Sequence, residues 1–388
     1  MSRIKVLYIS HESKEIAGAT LSLYNLIHSV EEWVEPVVLL DRKGVVCDFF
    51  QERGVPCLVF PFKRVLYNYG FVKRVLLYLP RLIRDSISND KCLQFLKNQL
   101  GSQGVDIIHS NSSAITVGEY FAKGLGVKHV WHVREFLDKD FHFHPFGGMD
   151  KLRKRINRAD ACIAITSQVA QHWQMTGKNA HVIWDAVRKE EEVCAILPKE
   201  KYFLFCCASL SDTKGADTAV KAFCMSRLSQ KGYCLKMVGS CTDEYKEKLM
   251  HIIRSFSNDM VEHIEFLGYQ KDITPLMKRA TAFLMCSHNE GLGRVTIEAM
   301  CYGCPVIARH SGGTVDFLKD RETGFFFTHD EQCASLMNEV SSMPAPPTIY
   351  AANEFFKRHF TEEVYGIQIN CIYQELLSQQ KYEQSKRL

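Results

Sequence analysis

The sequence has no apolar run approaching the roughly 18–20 residues of a membrane-spanning helix, no low-complexity tract and no short internal repeat. These absences exclude an integral helical membrane protein, a solenoid and a disordered chain. A charge of one sign is also missing: 48 Lys and Arg face 44 Asp and Glu, and a formal balance of +4 excludes polyanion binding by bulk charge. No recognition module accompanies the basic stretches, so no nucleic-acid partner is expected. The opening segment Met1–Ser10 has too short an apolar part, and no small-residue cleavage site, to read as a secretory signal. Without such a signal the 15 cysteines are expected in a reducing compartment, which implies a cytoplasmic location. Proline is sparse, and its one cluster, Pro344-Ala345-Pro346-Pro347, marks a break before a C-terminal tail.

What the sequence does have is core. Apolar residues make up 46% of 388, enough for about two domains. In the N-terminal half, short apolar runs at Ile4–Ser10, Pro36–Leu40, Cys57–Phe60, Val105–Ser110, Lys128–Val133, Ala161–Thr166 and His181–Trp184 mostly lack strict alternation. Runs of that kind read as strands buried on both faces of a parallel sheet. Segments with helical spacing, such as Leu21–Val30 and Met149–Arg158, lie between them. The pattern restarts after a polar stretch with runs at Tyr202–Ser209, Leu235–Gly239, Ile264–Gly268, Ala282–Ser287, Pro305–Arg309 and Gly324–Phe327. The fold class is therefore α/β, with two Rossmann-like halves: residues 1–187, a linker at 188–201, residues 202–348, and a helical tail at 349–388. Ligands are expected at the carboxyl ends of the strands, in a cleft that two such halves would form.

The densest chemistry lies in Ser287-His288-Asn289-Glu290-Gly291-Leu292-Gly293-Arg294-Val295-Thr296-Ile297-Glu298-Ala299-Met300. A strand ends here and a helix opens near Gly293. Two glycines allow close backbone approach to a ligand, and the first N–H groups of a helix favour an anion. Glu290, at the strand end, is placed to accept hydrogen bonds from hydroxyls, and Glu298 falls in the second helical turn. A solvated loop glutamate followed by a helix-surface glutamate is the plain reading, and a two-carboxylate hydrolase is another contender. The glycine loop between the acids suits a nucleotide better.

Glu290 and Glu298 match the E-x7-E signature, and the sequence resembles the retaining glycosyltransferases of family 4, which have the GT-B fold. Ala299–Ala308, Ser311-Gly312-Gly313-Thr314 and Glu322-Thr323-Gly324 continue that pattern across most of the C-terminal half. The resemblance implies that Glu290 contacts donor-sugar hydroxyls, that Glu298 contacts the ribose, and that Gly291, Leu292, Gly293, Arg294 and Val295 hold sugar and diphosphate. Lys214-Gly215 matches the family's Lys-Gly, so Lys214 is expected to neutralise the leaving diphosphate. Ser209 stands where the family carries an arginine, and Arg294 is a candidate to compensate. In the N-terminal half, Gly18-Ala19 resembles the family's Gly-Gly loop with Ala19 for the second glycine. His132, in Val130-Trp131-His132-Val133-Arg134-Glu135, resembles its cleft histidine and would reach the transferred sugar; a core histidine is the alternative. Asn111 is a candidate on the acceptor side.

Other signals are weaker. Asp138-Lys139-Asp140 lies in a polar loop rather than closing a buried strand, His142 and His144 lack identifiable partners, and Cys301 and Cys304 form a single C-x2-C pair. No metal site and no cofactor are expected. Residues 62–84 carry Lys63, Arg64, Lys73, Arg74, Arg81 and Arg84 among aromatics and leucines with no acid. That composition fits either a helix with a solvated basic face or a contact with an anionic membrane surface.

The resemblance implies a retaining, metal-independent hexosyltransferase with the acceptor on residues 1–187 and the nucleotide-sugar donor on 202–348, and a tail whose last helix, with amphipathic spacing over Phe355–Leu377, crosses back to pack on the N-terminal domain. It would move sugar from a nucleotide-diphosphate sugar to a glycan or lipid-linked glycan acceptor, in bacterial surface-polysaccharide synthesis at the inner face of the cytoplasmic membrane. The alternatives are a non-catalytic partner that keeps the fold, made conceivable by Ser209 and Ala19, a sugar-nucleotide epimerase, and a phosphorylase. Nothing in the sequence specifies an oligomeric state.

Overall fold

The computed structural model describes residues 3–16, 18–64, 66–67, 77–101, 104–139, 143–145, 147–343 and 346–385. The chain forms two compact units, one made of residues 1–186 with 362–388 and the other of residues 187–361.

The first unit contains strands β1 (Ile4–Ile9), β2 (Val34–Leu40), β3 (Cys57–Val59), β4 (Leu66–Tyr67), β5 (Ile107–Ser110), β6 (Lys128–Val133), β7 (His144–Pro145), β8 (Ala161–Ala164) and β9 (Ala180–Val182). Seven of them build a sheet in the order β3-β2-β1-β5-β6-β8-β9, parallel throughout. β4 and β7 form a separate antiparallel pair that the apolar pattern did not announce. The period-2 geometry of a strand explains why its runs need not alternate. Ile4, Val6 and Tyr8 of β1 enter one core layer with Leu23, Leu26 and Ile27. Leu7 and Ile9 enter the opposite layer with Cys92, Leu96 and Phe121.

The second unit holds β10 (Tyr202–Ser209), β11 (Cys234–Ser240), β12 (Ile264–Gly268), β13 (Ala282–Met285), β14 (Val306–Arg309) and β15 (Phe325–Phe327) in the order β12-β11-β10-β13-β14-β15, again all parallel. In each sheet the strand order reverses beside the first strand, between β1 and β5 and between β10 and β13. That reversal leaves a crevice at the carboxyl ends of the two strands, because their following loops run to opposite sides.

The structure divides the chain differently from the sequence reading at two places, the linker and the first part of the tail. Residues 188–201 are part of the second unit rather than a free linker: Glu200 N–H donates to Arg279 O at 2.7 Å, and Lys199 Nζ donates to Lys278 O and Gly303 O at 2.9 and 2.6 Å. The tail beginning at 349 is two elements with different owners. The helix Thr348–His359 stays with the second unit, where the Asn353 side-chain amide donates to the Met300 and Cys301 carbonyls and so satisfies the end of the helix Arg294–Cys301. The helix Glu362–Ser385 belongs to the first unit, where Tyr365, Ile369, Ile372, Tyr373 and Leu376 enter the layer that contains Tyr8. Their spacing of i, i+4, i+7, i+8, i+11 is one helical face.

Gly366 lies on that helix against the helix Gly18–Ser29, and a β-carbon there would collide with the Ser29 carbonyl oxygen. Helix propensity alone predicts that Gly366→Ala stabilises by about 1 kcal/mol. The collision is with backbone, so the expected outcome is the opposite sign, a loss of roughly 1–3 kcal/mol read as a lower Tm in thermal denaturation. A raised Tm would show that the helices do not meet at this glycine.

Candidate active site

The loops after β10, β13 and β14 meet through backbone. Gly215 has φ +74°, and a β-carbon there would strike the Cys286 carbonyl. At Gly312, with φ +61°, a β-carbon would lie 2.6 Å from Glu290 O and 2.7 Å from Glu290 N. Only glycine fits such approaches. Hydrogen bonds close the same seam: His288 N–H donates to Thr213 O at 3.1 Å, and Gly313 N–H donates to Glu290 O at 2.7 Å. The Ser311 hydroxyl donates to Ser287 O at 3.0 Å.

This framing sets two side chains from distant parts of the sequence against each other. Lys214 Nζ donates to Glu290 Oε2 at 2.8 Å, and both side chains are part-exposed. Ser209 ends β10 at the same edge and is exposed. Beyond Glu290 the chain passes through Gly291 and buried Leu292 to Gly293, whose φ of +82° makes it a left-handed N-cap for the helix Arg294–Cys301. The helix therefore opens where the sequence places it, with the N–H groups of Arg294 and Val295 in its first turn and Glu298 in its second. The buried hydroxyls of Thr296 and Thr314 flank Gly293 and have no hydrogen-bond partner among the described residues. The arrangement offers two carboxylates, an ammonium and helix N-terminal amides at one strand edge, a set suited to a hydroxyl-rich anion.

Glu298 has a partner that the sequence reading assigned to a linker. Arg188 NH2 lies 2.9 Å from Glu298 Oε1, and Arg188 Nε donates to the Tyr302 hydroxyl at 2.9 Å. Burial works against the Arg188 cation, but Glu298 and Tyr302 outweigh it and its pKa lies above the usual arginine value. No local sequence signal marks this role of Arg188, because Glu298 and Tyr302 are more than a hundred residues away.

In the first unit the candidates lie differently from expectation. Gly18 is not in a loop: it is the first residue of the helix Gly18–Ser29, exposed, with nothing among the described residues within 4 Å of a β-carbon. Ala19 is in the same turn, and its carbonyl accepts from Asn111 Nδ2 at 3.3 Å. Asn111 is fully buried, with Oδ1 accepting from Arg134 Nε at 2.9 Å, so its amide is spent inside the fold.

His132 is also fully buried, in the core position weighed against a cleft role. Its Nδ1 lies 3.2 Å from His109 Nε2 and 3.3 Å from Arg134 NH2, while its Nε2 is 3.7 Å from Asp185 Oδ1. Arg134 pairs closely with Asp185, whose Oδ1 accepts from the Tyr365 hydroxyl at 3.1 Å. His109 Nδ1 lies 2.7 Å from the Tyr373 hydroxyl, which donates onward to Tyr8 at 3.2 Å. Two polar residues spaced i, i+2 on a buried strand, His132 and Arg134, share one face and were the available hint of this network.

The weaker signals also find places. Asp138 lies 3.0 Å from His172 Nε2, whereas Asp140 and His142 fall outside the described residues. Cys301 and Cys304 are buried free thiols. Within 62–84, residues 65 and 68–76, including Lys73 and Arg74, lie outside the described residues.

Burial, and then Arg134, hold His109 and His132 well below the ordinary histidine pKa; burial brings His129 down to about 3. Folded, these rings stay neutral, whereas the unfolded chain takes up their protons below pH 6.5. The unfolded state therefore binds more protons between pH 6.5 and about 3, and stability falls as pH drops through that window. The expected slope is at most about 1.4 kcal/mol per pH unit for each histidine, measured by urea unfolding at pH 7.5 against pH 5. His129→Gln should flatten the profile by one histidine's share, and an unchanged slope would mean that His129 titrates freely in the folded unit.

Residues 188–353 match the family model described as Glycosyl transferases group 1. An uncharacterized glycosyltransferase of Methanocaldococcus jannaschii is 23% identical over 292 residues, covering 72% of this chain and 78% of that protein. The lipopolysaccharide core biosynthesis mannosyltransferase LpcC of Rhizobium leguminosarum bv. viciae is 24% identical over 237 residues, covering 59% of this chain and 65% of that one. Among solved structures, Anabaena HepE in complex with UDP superposes with a TM-score of 0.77 at 18% identity, over 95% of this chain and 98% of HepE. With its two parallel Rossmann-like sheets and its paired carboxylates around a glycine loop, the chain has the GT-B fold that it shares with HepE, and its residues 188–353 match the group 1 glycosyl transferases.

Proposed function

We propose that the protein is a retaining family 4 hexosyltransferase that moves a sugar from a nucleoside-diphosphate sugar to a glycan or lipid-linked glycan, in bacterial surface-polysaccharide assembly. The observation that carries this reading is the Lys214–Glu290 pair at 2.8 Å, beside the glycine loop that opens the helix Arg294–Cys301. In the reaction the diphosphate takes the place of Glu290 on the Lys214 ammonium, and the released carboxylate accepts from donor-sugar hydroxyls. Glu298 accepts from the ribose. Charge that develops on the departing diphosphate is met by Lys214 and the first-turn amides, and Arg294 is assigned the cation that Ser209 does not supply. Positive charge from these groups is what makes a metal ion dispensable in this reading. The acceptor hydroxyl attacks from the face the diphosphate leaves, and a donor phosphate oxygen takes its proton. A nucleotide-sugar donor is supported by HepE, whose structures hold UDP and UDP-glucose. A surface-glycan acceptor is supported by LpcC and by a second lipopolysaccharide core glycosyltransferase, LpsE of Rhizobium meliloti, among the relatives.

Glu290→Ala tests the central assignment together with a thermal-shift panel of UDP, GDP, ADP, dTDP and CMP, each with and without EDTA. At about 100 times its dissociation constant the correct nucleotide adds about 2.7 kcal/mol of stability, and the shift is expected to be the same with EDTA. The variant should keep that shift while turnover of the matching sugar nucleotide falls by roughly 100-fold or more. Equal loss of binding and turnover would remove the role given to Glu290. No shift with any nucleotide would favour the non-catalytic reading.

The acceptor reading places the enzyme at a membrane surface, and the helix Tyr78–Leu100 supports it. No helix among the described residues is long and apolar enough to cross a membrane. The first half of this helix is inverted: Asp85 and Asn89 are buried, while Leu79, Leu82, Ile83 and Ile87 are exposed. Lys63, Arg64, Arg81 and Arg84 accompany them in sequence. Co-sedimentation is expected with phosphatidylglycerol vesicles but not with phosphatidylcholine alone, and Leu79→Ser with Ile83→Ser should abolish it. Undiminished sedimentation of the double variant would exclude this face.

A further inference from the structure

The pairing of Glu298 in the second unit goes beyond the roles assigned so far. Arg188 occupies one oxygen of the carboxylate, Oε1, at 2.9 Å, and leaves Oε2 without a protein partner among the described residues. The guanidinium is itself held from other directions. Its Nε donates to the Tyr302 hydroxyl at 2.9 Å, its NH1 donates to Val187 O at 3.3 Å, and Glu192 lies 3.7 Å from Nε. The backbone beneath it is fixed as well: Arg188 bridges to Thr361, and Val187 N–H donates to Phe360 O at 3.1 Å. Tyr302 follows directly on the helix Arg294–Cys301, so the cation and the carboxylate it meets are anchored to the same element.

A carboxylate near a hydroxyl-bearing ligand gains most when its rotamer is set before the ligand arrives, because the ordering cost is then not charged to binding. A planar guanidinium suits this better than an ammonium, since its fork fixes direction as well as charge. We infer that Arg188 is a positioning residue for nucleotide recognition: it locks Glu298 with Oε1 occupied and Oε2 presented to the ribose hydroxyls. The inference rests on the assignment of Glu298 to the ribose.

The test measures dissociation constants by calorimetry for UDP, GDP and ADP and for their 2′,3′-dideoxy counterparts. The proteins are wild type, Arg188→Ala, Arg188→Lys, Glu298→Gln and the Arg188→Ala/Glu298→Gln double variant, each checked by thermal melting. If Arg188 acts through Glu298, Arg188→Ala weakens the ribonucleotide by roughly 10-fold and leaves the dideoxy nucleotide near its wild-type affinity. Arg188→Lys falls between, and the double variant binds no more weakly than Glu298→Gln. Equal weakening of ribo and dideoxy nucleotides by Arg188→Ala would overturn the inference, as a general structural effect. Tighter ribonucleotide binding would also overturn it, because Arg188 would then be a competitor for Glu298. Should Glu298→Gln weaken ribo and dideoxy nucleotides equally, or should wild type bind none of the three, the ribose assignment fails and the inference with it. That result is separable from failure of the Arg188 variants alone.

Discussion

The close approach of backbone to backbone at the carboxyl edge of the second sheet is the constraint on which the site depends. Gly215 lies against the Cys286 carbonyl and Gly312 against the backbone of Glu290, and any side chain at either glycine would force the loops apart. The hydrogen bonds from His288 to Thr213 and from Gly313 to Glu290 satisfy the polar groups that this closeness buries. The separation of Lys214 and Glu290, 76 residues apart in the chain, is therefore set by main-chain geometry and not by the reach of two flexible side chains. Peptide groups clamped in this way need little reorganisation when charge develops nearby, which is the condition for strong electrostatic stabilisation.

The first unit closes the corresponding sheet edge by side chains instead. Arg134 is taken out of water, and that cost is offset only because Asp185, Tyr365, Asn111 and His132 surround it. Two buried histidines remain neutral beside the cation, pushed down by burial and by its charge. Tyr365 and Tyr373 both come from the helix Glu362–Ser385, so the end of the chain completes a network begun by β1, β5 and β6. A polar interior of this kind tolerates little change, since removal of one partner strands another in a low-dielectric surrounding.

The strand runs were legible because burial on both faces leaves an unbroken apolar signature, and the turn into the helix Arg294–Cys301 was legible because glycines and a following amphipathic run punctuate it locally. The burial of His132 and Asn111 is not legible, because a polar residue at a strand end has the same sequence appearance whether it faces solvent or a buried arginine. At Gly18 a glycine before a helix suggests a special turn, whereas its backbone is that of an ordinary first helical residue. The tail boundary moved from 349 to 362 because Asn353 binds the end of a helix about fifty residues upstream, a contact with no local trace.

By itself the sequence determined the α/β class, the duplicated parallel architecture and the carboxylate–glycine loop, all of which follow from local periodicity and from residue types with few alternative uses. Only the tertiary structure decided the pairing of Lys214 with Glu290, the lock of Arg188 on Glu298, the burial of His132 and Asn111, and the point at which the tail passes from one unit to the other. Each of these depends on residues far apart in the chain meeting in a low-dielectric or backbone-clamped setting. Hydrophobic patterning specifies which face of an element turns inward, but not which charged partner waits there.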